Sequence, residues 1–438
     1  MSIRSRNLIK YVAPTILSQV SFFLFTIIDG IFVGQGVGTD ALGAINIVFP
    51  FVMVANALFM LTTIGGVTIT AIRLGRGDQK GANQAFLHAV LGTLVIAALL
   101  FCAGVFLTDP LCRLMGSNET YHTLMRDYLF YYSLFLIPSG LSITLNGFGR
   151  NDGSPLLVSA AVITGTLLNI FGDWLFVFPL HMGLKGAALA TGISQSVCLL
   201  IVLPHFLLKK GKLRFQAFQI SGGLYKKIAL RGLPETIAQF ATPVSTLWMN
   251  YMLLAKVGDV GVNAFSIICY VASFSIAVFY GAAQGLQPLF GRCFGARQEE
   301  DLKFYFRAGM LISLIGSAAI TALLCLFGGG ICAMFGTDPE TLSFTVAALP
   351  QYAWGFVLMA LNTMISSYLY STKRSQQAIL INALRSFLVN TLVILLLPQL
   401  FGGGVIWHTF GIYEGVVLVA AWILMKSSER NGIFAERH

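Results

Sequence analysis

The sequence predicts an all-α integral membrane protein: twelve transmembrane helices in two parallel-repeat six-helix bundles around a central cavity. Three observations carry that prediction. Hydrophobic residues make up 56% of the 438 and charged ones 11%, with a mean hydropathy of +0.78. A soluble chain of this size carries about a quarter charged residues. Twelve apolar runs are long enough to cross a bilayer. The second half of the chain also repeats features of the first at an offset of about 220 residues.

The runs lie at 9–36, 42–71, 83–107, 124–148, 155–179, 185–207, 227–255, 261–291, 304–334, 345–370, 376–400 and 404–426. Several exceed the ~20 residues a span needs, which implies tilt, kinks or extension beyond the hydrocarbon core. Orientation follows from Lys and Arg, which favour cytoplasmic loops. With the N-terminus inside, only Arg113, Arg126, Lys185 and Lys256 of the 28 fall in outer segments, and Arg385 falls within a span. Both termini are therefore expected in the cytoplasm. The same bias accounts for the net charge of +10 without any nucleic-acid partner. The basic start, MSIRSRNLIK, runs into a long apolar stretch with no small-residue cleavage site, so it reads as a first membrane helix. The seven cysteines lie mostly in apolar runs, form no CxxC pair and read as small core residues.

An offset of 220 places Pro14 on Pro234, Gln19 on Gln239, Ala44 on Ala264 and Ile47 on Ile267. An offset of 219 places Gly66 on Gly285, Arg73 on Arg292 and Gln79 on Gln298. Six spans per copy give both copies the same orientation. Transporters built from parallel repeats hold a site between two lobes and rock one against the other. The expected division is a first lobe at 1–207, a cytoplasmic linker at 208–226 and a second lobe at 227–438. The linker region, KKGKLRFQAFQISGGLYKKIALR, reads as a solvated, lipid-facing loop.

Acidic residues inside the spans are Asp29, Asp173, Glu235 and Glu414. Ionisable groups are rare in a bilayer and are functional candidates there. Counting from the outer ends of spans 1 and 5, Asp29 and Asp173 both lie roughly 10 Å below the outer edge. Asn169 is one turn from Asp173 on the same face. Tyr128 of span 4 and Thr191 of span 6 fall at a similar depth. Two carboxylates close together in low dielectric repel, so the pair holds a proton or a small cation. The oxygens of Asp29, Asn169, Asp173 and Thr191 suit a hard ion such as Na+. The plainer alternative is a hydrogen-bonded network that only fixes helix packing.

The second lobe differs. Asp29 aligns there with Met249, and the buried charges are Arg385 and Glu414, with His408 nearby. Adjacent spans of opposite sign read as an internal ion pair. Glu235 follows Pro234 and reads as an acid suiting the dipole at a helix start.

Several blocks together resemble the multidrug and toxic compound extrusion (MATE) family of antiporters. They are Pro14 with IIDGIFVGQGVGTDALGAINIVFPF, TAIRLGRGDQKGA, GRNDGSP, LLNIFGDWLFVFPLHMGLKGAALATGISQ and QPLFGRCFGA. The resemblance covers nearly the whole chain. It implies two six-helix bundles and export driven by entry of H+ or Na+. In that family a first-lobe cation site uses an aspartate of helix 1, a tyrosine of helix 4, an asparagine and an aspartate four apart in helix 5, and a threonine of helix 6. Asp29, Tyr128, Asn169, Asp173 and Thr191 match these in turn. One branch also carries an acid midway along helix 7, where this chain reads AQFATPVSTLW and has none. The resemblance is therefore nearer the branch of DNA-damage-inducible bacterial exporters.

The function expected is a secondary active exporter in a bacterial cytoplasmic membrane. It exchanges H+ or Na+ for amphipathic organic cations, needs no cofactor beyond the coupling ion, and works as a monomer in the lipid bilayer. A lipid-linked precursor flippase would place several Arg or Lys in its cavity, whereas only Arg385 lies in a span here. A membrane-embedded enzyme would need a nucleophile or metal set such as HExxH or GxSxG, and neither occurs. A passive channel fits poorly with a polar set confined to one lobe.

Overall fold

The computed structural model describes residues 3–37, 39–117, 119–333, 339–429 and 432–434. Among these residues there are α-helices, one π-helical turn and one 3-10 turn, and no strand. The chain divides into two compact units, Leu17–Gly232 and Met1–Ile16 with Leu233–His438.

The unit formed by Leu17–Gly232 takes most of α1 (Ile3–Gly36), then α2 (Thr39–Gly75), α3 (Gln79–Phe106), α4 (Thr108–Leu114), α5 (Glu119–Leu134), α6 (Leu136–Asn151), α7 (Pro155–Val177), α8 (Gly183–Leu207) and the start of α9 (Gly222–Ala238). The other holds the end of α9, α10 (Ala241–Lys256), α11 (Asp259–Gly295), α12 (Glu299–Ala333), α13 (Pro339–Ala353), α14 (Gly355–Ser371) and α15 (Ser375–Ala383). A π-helical turn (Leu384–Leu388), α16 (Val389–Phe401), a 3-10 turn (Gly403–His408) and α17 (Thr409–Glu429) complete it.

The repeat is visible in the helices themselves. Both α2 and α11 have 37 residues, and they start at Thr39 and Asp259. The helices that follow start at Gln79 and Glu299, the same distance apart. Their starts use different chemistry. Before α3, Gly77 turns the chain at φ +78° and the Asp78 carboxylate accepts from the Gly81 N–H at 2.8 Å. The first turn of α12 carries Glu299, Glu300 and Asp301, which favour the positive end of the helix dipole.

Among the described residues ten helical stretches are long and apolar enough to cross a membrane, and α5 with α6, bent by 53°, makes an eleventh. The predicted seventh span differs. It is two helices, α9 and α10, of 17 and 16 residues, separated at Gln239–Phe240. Neither is long enough to span by itself, and α9 carries Lys226, Lys227, Arg231 and Glu235.

The chain passes between units inside α1 and inside α9, not through 208–226 where the sequence suggested a division. Backbone approach explains why. A Cβ on Gly65 of α2 would lie 2.0 Å from the Ile228 carbonyl oxygen, and one on Gly232 of α9 would lie 1.9 Å from that of Leu61. In the other unit, Cβ atoms on Gly281 and Gly285 of α11 would meet the α1 backbone at Ile16 and Val12, 2.7 and 2.8 Å away. The first part of α9 and the start of α1 are thus fastened where glycines let two backbones approach closely.

The linker is not a solvated loop. From Leu208 to Ser221 it is a strap fixed to the first-repeat unit. The buried Asp152 carboxylate accepts from the N–H groups of Lys212 (2.9 Å) and Leu213 (3.3 Å), and from His205 Nε2 (2.9 Å). Asn83 Oδ1 accepts from the Arg214 N–H at 2.7 Å, and His88 Nε2 from the Ser221 N–H at 2.9 Å. Leu213 is fully buried, and Phe215 packs on Phe86 and Phe206. Charge runs read as solvated, but here the lysine and arginine side chains face outward while Leu213 is buried and the backbone at Lys212, Leu213, Arg214 and Ser221 is held.

The cysteines also depart in part from the core reading. Cys112, Cys198, Cys293 and Cys332 are buried, but Cys102 and Cys325 lie on exposed faces of α3 and α12. A small, weakly polar side chain tolerates a lipid-facing position as well as a packed one.

Candidate functional site

The site grows from α7. Its sequence, PLLVSAAVITGTLLNIFGDWLFV, is apolar apart from a few polar positions, among them Asn169 and Asp173 one turn apart. Gly172 lets α8 come close: a Cβ there would lie 3.0 Å from that of Ala190. This approach puts Asn169 and Asp173 against Thr191. Asp173 is fully buried.

The second carboxylate arrives from α1, where Asp29 lies beside Asp173. Two carboxyl groups this close repel when both are charged, which favours a proton or a cation held at the pair. The Oδ1 atoms of both residues are buried and have no hydrogen-bond partner. The Asn169 amide bridges to α8. In one orientation Nδ2 donates to Thr191 Oγ1 at 3.3 Å. Rotated by half a turn, it donates to Asp173 Oδ2 at 3.1 Å and accepts from the Thr191 N–H at 3.2 Å. The second arrangement gives the carboxylate a donor and satisfies both ends of the amide. Tyr128 of α5 is buried, stacks on Tyr132 at 6.0 Å, and lies within electrostatic reach of both carboxylates. The structure therefore brings Asp29, Tyr128, Asn169, Asp173 and Thr191 together from four helices.

Chemically, the set offers two carboxylates, two hydroxyls and an amide carbonyl, with two carboxylate oxygens free of partners. Hard oxygen donors of this kind fit a proton or Na+. Among the described residues no group of three or more His, Cys, Asp and Glu exists that would favour a transition metal.

Arg385 and Glu414 also meet. Arg385 lies in the π-helical turn, a local widening that is frequent at functional sites. Its Nε donates to Glu414 Oε1 at 2.7 Å, and its Nη1 to Thr363 Oγ1 at 3.4 Å. Glu414 Oε2 accepts from Asn362 Nδ2 at 2.8 Å. His408 is not part of this group; its Nδ1 accepts from Trp354 Nε1 at 3.3 Å.

Glu235 corrects the sequence reading. It lies near the end of α9, 13 residues after the Gly222 start, so the dipole at a helix start does not explain it. It is buried and lies 3.5 Å from Gln239 Nε2, which also donates to the Tyr280 hydroxyl at 3.3 Å. Asn362, Thr363 and Tyr280 went unmarked in the sequence. Their only signal there is polarity inside apolar runs, which many packing residues share.

With this geometry in place, comparison with known proteins is informative. The MatE family profile matches residues 14–175 and again residues 234–396. The chain belongs to the MatE family. The two matched segments also confirm the internal duplication. The MatE chain is 25% identical over 407 residues to an FAD transporter of Shewanella oneidensis, covering 90% of this chain and 86% of that one. It is 23% identical over 431 residues to the multidrug export protein MepA of Staphylococcus haemolyticus, covering 96% and 93%. In fold it matches an outward-facing multidrug resistance MATE family transporter with a TM-score of 0.92 at 21% identity, over 98% and 97% of the two chains. A MOP superfamily transporter from Pyrococcus furiosus superposes with a TM-score of 0.89, also at 21% identity. This MatE protein is an all-α, multi-pass membrane transporter and not an enzyme.

Proposed function

We propose that this MatE protein is a secondary active exporter that exchanges H+ or Na+ for amphipathic organic compounds, cations foremost. The observation that carries the reading is the Asp29–Asp173 pair: two neighbouring carboxyl groups on separate helices, each with a buried oxygen lacking a partner. A network that only fixed packing would not need two acids or leave two oxygens unsatisfied. Asn169, Thr191 and Tyr128 complete the cation-coupling set. Uptake of the cation neutralises the pair and lets α1 bend or shift, which releases the exported compound. The membrane is a bacterial cytoplasmic one, both termini lie in the cytoplasm, and the protein works as a monomer. Coupling resides in the first repeat, as nearer the DNA-damage-inducible branch. MepA, named a multidrug export protein, supports export of varied compounds.

The test is efflux from proteoliposomes under separately imposed Na+ and H+ gradients. An organic cation dye and FAD are the two probes, because one relative is named an FAD transporter. Dye efflux driven by one gradient and abolished by Asp29→Asn supports the reading. Efflux of equal rate in Asp29→Asn and the parent protein overturns it.

A further inference from the structure

A groove of about 490 Å3 lies in the first-repeat unit between α2, α3 and α9. Leu61, Gly92, Val95, Ile96, Ile220 and Ile228 line it. Thr62 also borders it, but its hydroxyl is occupied by the Phe59 carbonyl at 3.0 Å and by Thr93 Oγ1 at 2.7 Å. The groove opens sideways: Val95 is 50% and Ile220 71% exposed, and Leu94 and Leu99 of α3 extend the apolar face. Such a surface is stable against hydrocarbon and unfavourable against water.

Its position follows from the elements around it. Both α2 and α3 run beyond the groove to Gly75 and Gln79, where the strap is fastened. By contrast α9 starts at Gly222, beside the groove's end. Lys226 is exposed and three residues before Ala229, a lining residue, so both lie on one side of α9 with the lysine one turn nearer its start. Leu230 and Leu233 continue that face and are exposed. Lys227 is exposed beside them. Every charged residue of the lining segments and their near neighbours is cationic. From Pro204 to Pro234 the chain has seven Lys and Arg and no Asp or Glu.

An apolar seat with a cationic rim complements an amphiphile whose head is negative. We propose that this groove binds an anionic phospholipid, with an acyl chain against α3 and α9 and the phosphate against Lys226 and Lys227. The strap holds Ile220 in place, so the seat is formed before the lipid arrives.

Native mass spectrometry of the full chain in detergent tests this, with equal amounts of phosphatidylglycerol and phosphatidylcholine of identical chains. The expected result is retained phosphatidylglycerol in preference to phosphatidylcholine, with the preference falling about fivefold for each lysine removed in Lys226→Gln and Lys227→Gln. Val95→Trp fills the groove from an exposed position and should lower the retained lipid of both kinds by one molecule. Equal retention of the two lipids overturns the proposal. So does a preference unmoved by the two lysine variants, or one removed by neutralising Lys209, Lys210, Lys212 and Arg214 alone. Unchanged lipid retention in Val95→Trp rejects the groove as the acyl seat.

Discussion

Asp29 and Asp173 lie beside each other on α1 and α7, and each leaves one buried oxygen without a partner. Two acids so placed must hold a proton or a cation between them. Asp173→Asn keeps the shape and removes that capacity. Proteoliposomes carrying Asp173→Asn should lose gradient-driven dye efflux, and Glu414→Gln proteoliposomes that still insert should keep it. The comparison is read as initial efflux rate per inserted protein under the coupling gradient. Retained coupling in Asp173→Asn would move the coupling site elsewhere.

These two acids were legible in the sequence because a carboxylate within FFLFTIIDGIFVG or LLNIFGDWLFV is costly in a bilayer, and two of them on separate helices exceed what packing requires. Asn169 followed from helical spacing and Tyr128 and Thr191 from depth. Asp152 and His205 were not legible. In a cytoplasmic turn their polarity is ordinary, and nothing local says that they clasp a segment 60 residues away. The strap did carry a signal in KLRFQAF, where Leu213 and Phe215 alternate with charges. The dense positive charge outweighed that alternation and suggested a solvated loop. Glu235 was misread because Pro234 resembles a helix start, while α9 begins well before it.

The strap should be released by changing Asp152. Asp152→Ala leaves the Lys212 and Leu213 N–H groups unpaired and removes the His205 partner. Lys212 is exposed and its N–H can turn to water, but Leu213 is buried, and an unpaired buried donor costs about 1–3 kcal/mol. Opening of the strap should rise accordingly, and trypsin cleavage after Lys209, Lys210 and Lys212 should speed up by roughly tenfold or more. Gly211→Ala tests the same contact from the other side, because its Cβ would collide with Asp152 Oδ2. An unchanged cleavage rate in both variants would show that the strap is held by its apolar residues alone.

The glycine contacts make a second stability prediction. Gly65→Ala drives a methyl into the Ile228 carbonyl, which is backbone and has no rotamer to escape to. The substitution should destabilise the first-repeat unit by about 1–3 kcal/mol. Gly223→Ala, with nothing but the Ser221 hydroxyl near, should change little. Thermal unfolding in detergent, followed by circular dichroism, separates the two. Equal midpoints would mean that α9 shifts freely on α2.

Arg385 and Glu414 provide a test that separates packing from transport. Removing one partner strands a buried charge, so Glu414→Gln should destabilise the protein by about 3–5 kcal/mol. Replacing both with apolar residues of similar size, Arg385→Met with Glu414→Leu, removes both charges and should recover most of that loss. Asn362 Nδ2 keeps its second acceptor, the Glu414 main-chain carbonyl at 2.9 Å, so the double variant leaves that donor satisfied. If the pair serves packing, the double variant regains its unfolding midpoint and keeps its efflux rate per inserted protein. If stability returns while efflux is lost, the ion pair takes part in transport, and the π-helical turn that presents Arg385 belongs to the working machinery of the second repeat.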